Sequence, residues 1–151
     1  MKESLKEYII PMDPFPAPRM SRRDRFRPSP SAQRFYGNRD EMRAHLSTLG
    51  ISELPPAMGF SFHIPVSKSW SNAKKELHIG GMHQMKPDLD NLIKAVLDSI
   101  TYGKGRDDAH LGSILFAQKV WATEGAGRIM LYVPDDSDPQ WKNMVRKWMG
   151  V

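Results

Sequence analysis

Five aspartates and a lysine gather in one part of an otherwise basic chain. Asp88, Asp90, Lys94 and Asp98 follow at spacings of two, four and four residues, and Asp107-Asp108 come shortly after. Two unit charges about 4 Å apart repel by roughly 4 kcal/mol at an effective dielectric of about 20, so carboxylates held together call for a cation. Oxygen donors alone select a hard ion such as Mg²⁺, Mn²⁺ or Ca²⁺ over zinc. Such an ion would polarise a phosphoryl oxygen and acidify an attacking water. Lys94 beside it would stabilise the charge that develops during phosphate transfer. An ordinary structural alternative exists for each acid. Asp88 would be a helix cap worth about 1 kcal/mol, Asp90 a partner for the helix dipole, Asp98 a solvated charge and Asp107-Asp108 a turn. That alternative does not explain why so many acids collect here, nor why Lys94 shares a face with Asp90. The D-x-D spacing alone is weak, since phosphatases, glycosyltransferases and plain loops carry it too.

The element that must position these groups is a helix. Pro87 cannot continue a helix backwards and holds Lys86 extended, while Asp88 or Asp90 can cap the first turn. Leu89, Leu92, Ile93, Val96, Leu97 and Ile100 then fall within an arc of about 140° at 100° per residue, a core-facing stripe. Asp90, Lys94 and Asp98 share another surface. Gly103 and Gly105 end the helix.

Around it the chain reads as one domain of 151 residues. Leu5–Met12 is extended, with Tyr8, Ile9 and Ile10 favouring a strand. Ser31–Leu49 reads as a helix stopped by Gly50, with Phe35, Met42, Leu46 and Leu49 on its core stripe and Arg34, Arg39 and Arg43 free to reach solvent or a ligand. In Ala57–Val66, Met58, Phe60, Phe62 and Ile64 alternate with Gly59, Ser61, His63 and Pro65, giving a half-buried strand. Ser67–Met85 shows no convincing periodicity and reads as a long loop, functional or floppy. Leu111–Ala122 is a strand with Ile114, Phe116 and Val120 on one side. Arg128–Val133, alternating Ile129, Leu131 and Val133, is expected to pair back on it as a hairpin. Pro139–Met149 forms a short C-terminal helix with Trp141, Met144, Val145 and Trp148 on one stripe. The expectation is a single α+β domain over residues 1–151: a mixed sheet of about four strands, two main helices in the order β-α-β-α-β-β, and that short helix within an extension at 135–151.

Composition narrows the partners. The formal charge is +5 and the pI about 9.6, a balance that attracts polyanions. Residues 13–30 form a proline-rich basic arm, and from Arg19 onward Arg19, Arg22, Arg23, Arg25 and Arg27 meet only Asp24. Such an arm suits phosphates, with Phe15 and Phe26 available to stack on unpaired bases. Lys74 and Lys75 join Arg22, Arg23, Arg25 and Arg27 as candidate phosphate contacts, which set affinity and salt dependence rather than sequence choice. No cysteine is present, which excludes disulfides, thiolate zinc sites and a cysteine nucleophile. The five histidines lack zinc-ligand spacing, and Gly80-Gly81 reads as a turn rather than a phosphate loop. No apolar run is long enough to span a membrane, and the charged N-terminus is no signal peptide. A cytoplasmic setting is expected.

Lys86-Pro87-Asp88-Leu89-Asp90-Asn91-Leu92-Ile93-Lys94-Ala95-Val96-Leu97-Asp98, followed by Asp107-Asp108 ahead of a strand, resembles the RusA family of Holliday junction resolvases. Ile64–Trp70 and the downstream strands extend the likeness over roughly 57–133. Ala109-His110 depart from the family, in which a glutamine commonly stands at the second place after the last aspartate, and this removes no ligand. The resemblance implies a divalent-metal endonuclease using Mg²⁺ or Mn²⁺, a homodimer acting on four-way DNA, frequent in prophages of bacterial hosts. By position it places the essential aspartates on Asp88, Asp90 and Asp108 and the essential lysine on Lys94, with Asn91, Asp98 and Asp107 as auxiliary positions. Two other classes share parts of this pattern. A non-catalytic branched-DNA-binding protein would share the arm and tolerate Asp90→Asn. Another Mg²⁺-dependent nuclease or phosphatase would share the acids but show no preference for branched DNA.

Overall fold

β1 (Leu5–Ile10), β2 (Ala57–Ile64), β3 (Ser113–Trp121) and β4 (Arg128–Pro134) form one sheet in the order β1-β4-β2-β3. The computed structural model describes residues 5–19, 21, 23, 26–104, 108–123, 125–135, 146–147 and 150. β4 runs antiparallel to both β1 and β2, and β2 runs parallel to β3. The architecture is therefore a mixed-sheet α+β domain. The C-terminal helix expected at Pro139–Met149 falls almost wholly outside the described residues.

α1 (Pro30–Leu49) and α3 (Leu89–Thr101) cover one face of this sheet. α1 starts as its sequence dictates. Ser29 accepts a hydrogen bond from the Ala32 N–H at 3.2 Å, and Pro30 occupies the first turn, where its missing N–H costs nothing. It stops at Gly50, whose φ of +77° is the left-handed conformation that glycine adopts freely. Phe35, Met42 and Leu46 point inward and meet Phe60 and Phe62 of β2, Leu131 of β4 and the inner stripe of α3. β2 is not half-buried as its alternation predicts: every residue from Ala57 to Phe62 is buried, with Met58, Phe60 and Phe62 in the core cluster and the Phe116 ring lying across Gly59.

Two other expectations fail. β3 and β4 are not a hairpin: β2 lies between them. A tight-turn signal at Thr123–Gly127 says only that the chain reverses, whereas β4 has two mates available and lies between β1 and β2 with its alternate residues Ile129 and Leu131 in the core. The region Ser67–Met85 is not structureless either. It contains α2 (Asn72–His78), capped by the Ser71 hydroxyl on the Lys74 N–H at 3.2 Å. No α2 side chain is buried, so no apolar stripe marked it.

Among the described residues no helix covers the second face of the sheet. Phe116 lies there with its ring across Gly59, and a Cβ on that glycine would stand 2.6 Å from the ring. Ser61, His63 and Gln118 share the same face, linked by hydrogen bonds of 3.0 Å through the Ser61 hydroxyl. Among the described residues no helix is long and apolar enough to cross a membrane.

Candidate functional site

α3 is anchored from within. Leu92, Ala95, Val96, Leu97, Ser99 and Ile100 are buried, and the Ser99 hydroxyl donates to the Ala95 carbonyl at 2.7 Å, satisfying a polar group that the core encloses. The predicted stripe is present, with Leu89 and Ile93 half-buried at its edge. Burial on this scale fixes the helix, and with it the backbone from which the charged groups project.

Asp88 sits at the N-cap position, yet its side chain makes no capping hydrogen bond. Its carboxylate instead accepts from the Lys86 ammonium at 2.9 Å, across a contact open to solvent. The capping role offered by the sequence is therefore not taken up. Asp90 follows in the first turn and is exposed. Two carboxylates thus stand at one helix start, neither absorbed into the core. One turn on, Lys94 pairs with Asp98 at 3.1 Å, which places an ammonium on the same helix. Asn91 is exposed beside them and its carbonyl accepts from the Ala17 N–H at 3.0 Å.

Asp108 opens a single 3-10 turn (Asp108–His110) whose backbone packs against α3. The side chain of Asp108 and the whole of Asp107 lie outside the described residues. Among the described residues no three His, Cys, Asp or Glu side chains converge as a metal group. The structure therefore brings Asp88 and Asp90 to one end of α3 and a Lys94–Asp98 pair to its middle.

The basic arm divides. Phe15 is buried and its ring lies 6.0 Å from that of Phe35, so it packs in the core and is unavailable to bases. Phe26 is exposed. Arg23 and Arg27 are exposed on a turn closed by the Arg27 N–H on the Arg23 carbonyl at 2.8 Å. Arg22 and Arg25 lie outside the described residues. Lys74 rests over the Trp70 ring at 4.3 Å and Lys75 is half-buried at the end of α2.

Near the site, Lys119 had no sequence signal, and Arg39 and Arg43, read as free to reach solvent or a ligand, turn out to lie against an aromatic ring. Lys119 of β3 donates to the carbonyls of Met85 and Pro87, the latter at 2.7 Å, and so ties down the chain leading into Asp88. A lysine in a strand gives no hint of this reach. Arg39 lies 3.7 Å from the Tyr102 ring and Arg43 4.8 Å from it. Arg39, Tyr36, Tyr102 and Asp98 line an open cleft of about 340 Å³ beside the Lys94–Asp98 pair. The cleft depends on α1 meeting the end of α3, a long-range contact that neither segment announces.

A family model described as endodeoxyribonuclease RusA matches residues 13–133. No curated protein matches the chain.

Proposed function

The chain belongs to the RusA endodeoxyribonuclease family, nucleases that hydrolyse phosphodiester bonds at DNA crossover junctions, and from that premise we propose a metal-dependent resolvase whose reaction centre is the start of α3. The observation that carries this is Asp88: a carboxylate placed at an N-cap that declines to cap. It stands beside the exposed Asp90, held by nothing firmer than a solvent-exposed lysine. Surface pairs of that kind are worth about 0–1 kcal/mol, so an arriving cation can displace Lys86.

These donors fit a hard divalent ion. Asp88, Asp90 and Asp108 would hold Mg²⁺ or Mn²⁺, and all three offer oxygen alone. When bound, the ion supplies charge neutralisation and an acidified water. The chain's residues do the rest. Asp98 orients Lys94, whose ammonium faces the charge that gathers on the phosphate oxygens as water attacks in line. A new P–O bond forms, the bond to the 3′ oxygen breaks, and that oxygen takes a proton, leaving a 5′-phosphate and a 3′-hydroxyl. Arg23, Arg27, Lys74 and Lys75 would hold backbone phosphates; Arg22 and Arg25 belong to the same proposal. Two copies related by a twofold axis would match a roughly twofold four-way junction and deliver paired nicks.

The test is cleavage of a labelled synthetic four-way junction beside linear duplex of the same sequence, in Mg²⁺ or Mn²⁺ and in EDTA. Paired nicks on the junction are expected, absent in EDTA. Asp90→Asn should lower the rate by about 10³-fold, equivalent to about 4 kcal/mol, with an unchanged thermal midpoint because Asp90 is exposed. Binding without cutting in either metal would overturn the proposal and leave a junction-binding protein.

A further inference from the structure

The segment between β2 and α3 holds a combination that the reaction described above does not use. Within nine residues, Leu77 is 82% exposed, Met82 64%, Met85 58% and Ile79 40%. Single exposed apolar residues are ordinary, but four on one short excursion are not. The same excursion, residues 67–87, carries Lys68, Lys74, Lys75 and Lys86 against one acid, Glu76. Apolar tips among lysines match a polyanion that also offers broad apolar surface, and DNA opens its base faces where bases are unstacked.

The excursion is braced. The Gly80 N–H donates to the Trp121 carbonyl at 3.0 Å, the Trp121 N–H to the Gly81 carbonyl at 2.9 Å and the His83 N–H to the Lys119 carbonyl at 3.0 Å. Met82 thereby forms an antiparallel bridge with Val120 at the edge of β3. Rings fill the space behind: Trp70 lies 4.9 Å from Trp121, His78 4.8 Å from Trp70, and His83 4.2 Å from Trp121. Lys119 then ties Met85 and Pro87 down immediately before Asp88. A side chain that separates stacked bases must stand on something that does not yield, and this mount is held by backbone pairing and ring packing. It also joins the reacting end of α3 directly.

We propose that residues 77–85 are a wedge for the branch point of a DNA junction. Leu77, Met82 and Met85 enter between base steps at the crossover, and Lys68, Lys74, Lys75 and Lys86 hold the flanking phosphates. Unstacking a step costs a few kcal/mol and is least costly where pairing is already interrupted, so the wedge selects branched over linear duplex. This rests on the junction-nuclease reading, but its readout does not require cutting.

The experiment places 2-aminopurine at the branch nucleotides of a four-way junction, with the full chain saturating in Ca²⁺ and again in EDTA, and binding followed separately by anisotropy. The wild-type chain should raise 2-aminopurine emission about twofold or more. Leu77→Ser/Met82→Ser/Met85→Ser should still bind and keep its thermal midpoint within about 2 °C, since exposed sites contribute little to stability, yet lose most of that rise. Lys74→Ala/Lys75→Ala should weaken binding and lower its salt dependence while the emission of the bound complex stays high. A full rise with the triple variant, or junction binding by wild type without any rise, overturns the wedge. If the triple variant instead converts a dimer to monomer in sedimentation while the rise persists, the apolar tip is a contact between copies and the proposal is wrong. Failure of wild type to bind the junction at all would remove the nuclease reading together with the wedge.

Discussion

The two helices between β2 and β3 serve opposite ends. α3 buries six of its thirteen residues, whereas α2 buries none of its seven. α3 carries the groups proposed to do chemistry, for which a displacement of about 1 Å can cost about 10²-fold in rate. α2 and the loop after it carry the groups proposed to meet DNA, and their apolar atoms stay in solvent. A catalytic carboxylate takes its position from a buried backbone; a recognition surface takes its use from exposure. α2 is nevertheless not loose, because backbone pairing and ring contacts on β3 replace the missing core face.

The sharpest way to break this contrast is to truncate one leucine on each element. Leu92 is fully buried among core side chains. Leu92→Ala should cost about 2–5 kcal/mol of unfolding free energy and reduce activity at temperatures where the native fraction falls. Leu77→Ala should cost less than about 0.5 kcal/mol. Urea unfolding of the two variants checks both. Similar losses would mean that α2 is packed as tightly as α3, and the division drawn above would fail.

The same contrast explains what could be read in the sequence. α3 was legible because an amphipathic helix must place its apolar residues at 3.6-residue spacing, and Leu92, Val96, Leu97 and Ile100 do so. β2 was legible because Met58, Phe60 and Phe62 alternate. α2 has no buried face and so leaves no period to find. The strand order escaped for a different reason: the partner of β4 is chosen by contacts made across the whole chain, while Thr123–Gly127 reports only a local reversal. Within the candidate site, Asp90, Lys94 and Asp98 were visible as residue types at helical spacing. The departure of Asp88 from capping was not, since the Lys86 contact that replaces it depends on side-chain direction. Phe15 reads as a base-stacking candidate because the arm's composition says loop, whereas the Phe35 ring it packs against arrives from α1.

Lys119 tests whether bracing of the excursion matters to α3. Lys119→Met keeps the length of the stem but removes the donor to the Met85 and Pro87 carbonyls. Hydrogen bonds to a charged group are worth about 1.5–3 kcal/mol at most, and these carbonyls can turn to water, so a stability loss of about 1–2 kcal/mol is expected. The rate should fall about tenfold in kcat with little change in KM, because Asp88 loses its placement while the phosphate contacts remain. Lys119→Arg, which retains donors, should recover part of it. A change confined to KM would place Lys119 in binding rather than positioning.

The smallest effect expected is a pH dependence that reports whether the excursion stays closed on β3. His83 is only 4% exposed and its Nδ1 has no hydrogen-bond partner among the described residues. Burial lowers its pKa from the ordinary 6.5, and the nearby Lys119 ammonium lowers it further. The folded chain therefore resists protonation at this ring, while the unfolded chain accepts the proton near pH 6.5. Stability from the neutral ring is fully present above the unfolded value and is lost as pH falls below it toward the folded one. His63 shifts in the same direction, by burial and then by Arg128, so the wild-type slope contains both. His83→Phe keeps a ring against Trp121 and cannot titrate. Its thermal midpoint should decline less steeply than that of wild type between about pH 7.5 and about pH 5.5. Identical slopes would mean that His83 meets water in the native state. The excursion would then swing free of β3, and it could be neither a stiff wedge nor a brace for Asp88.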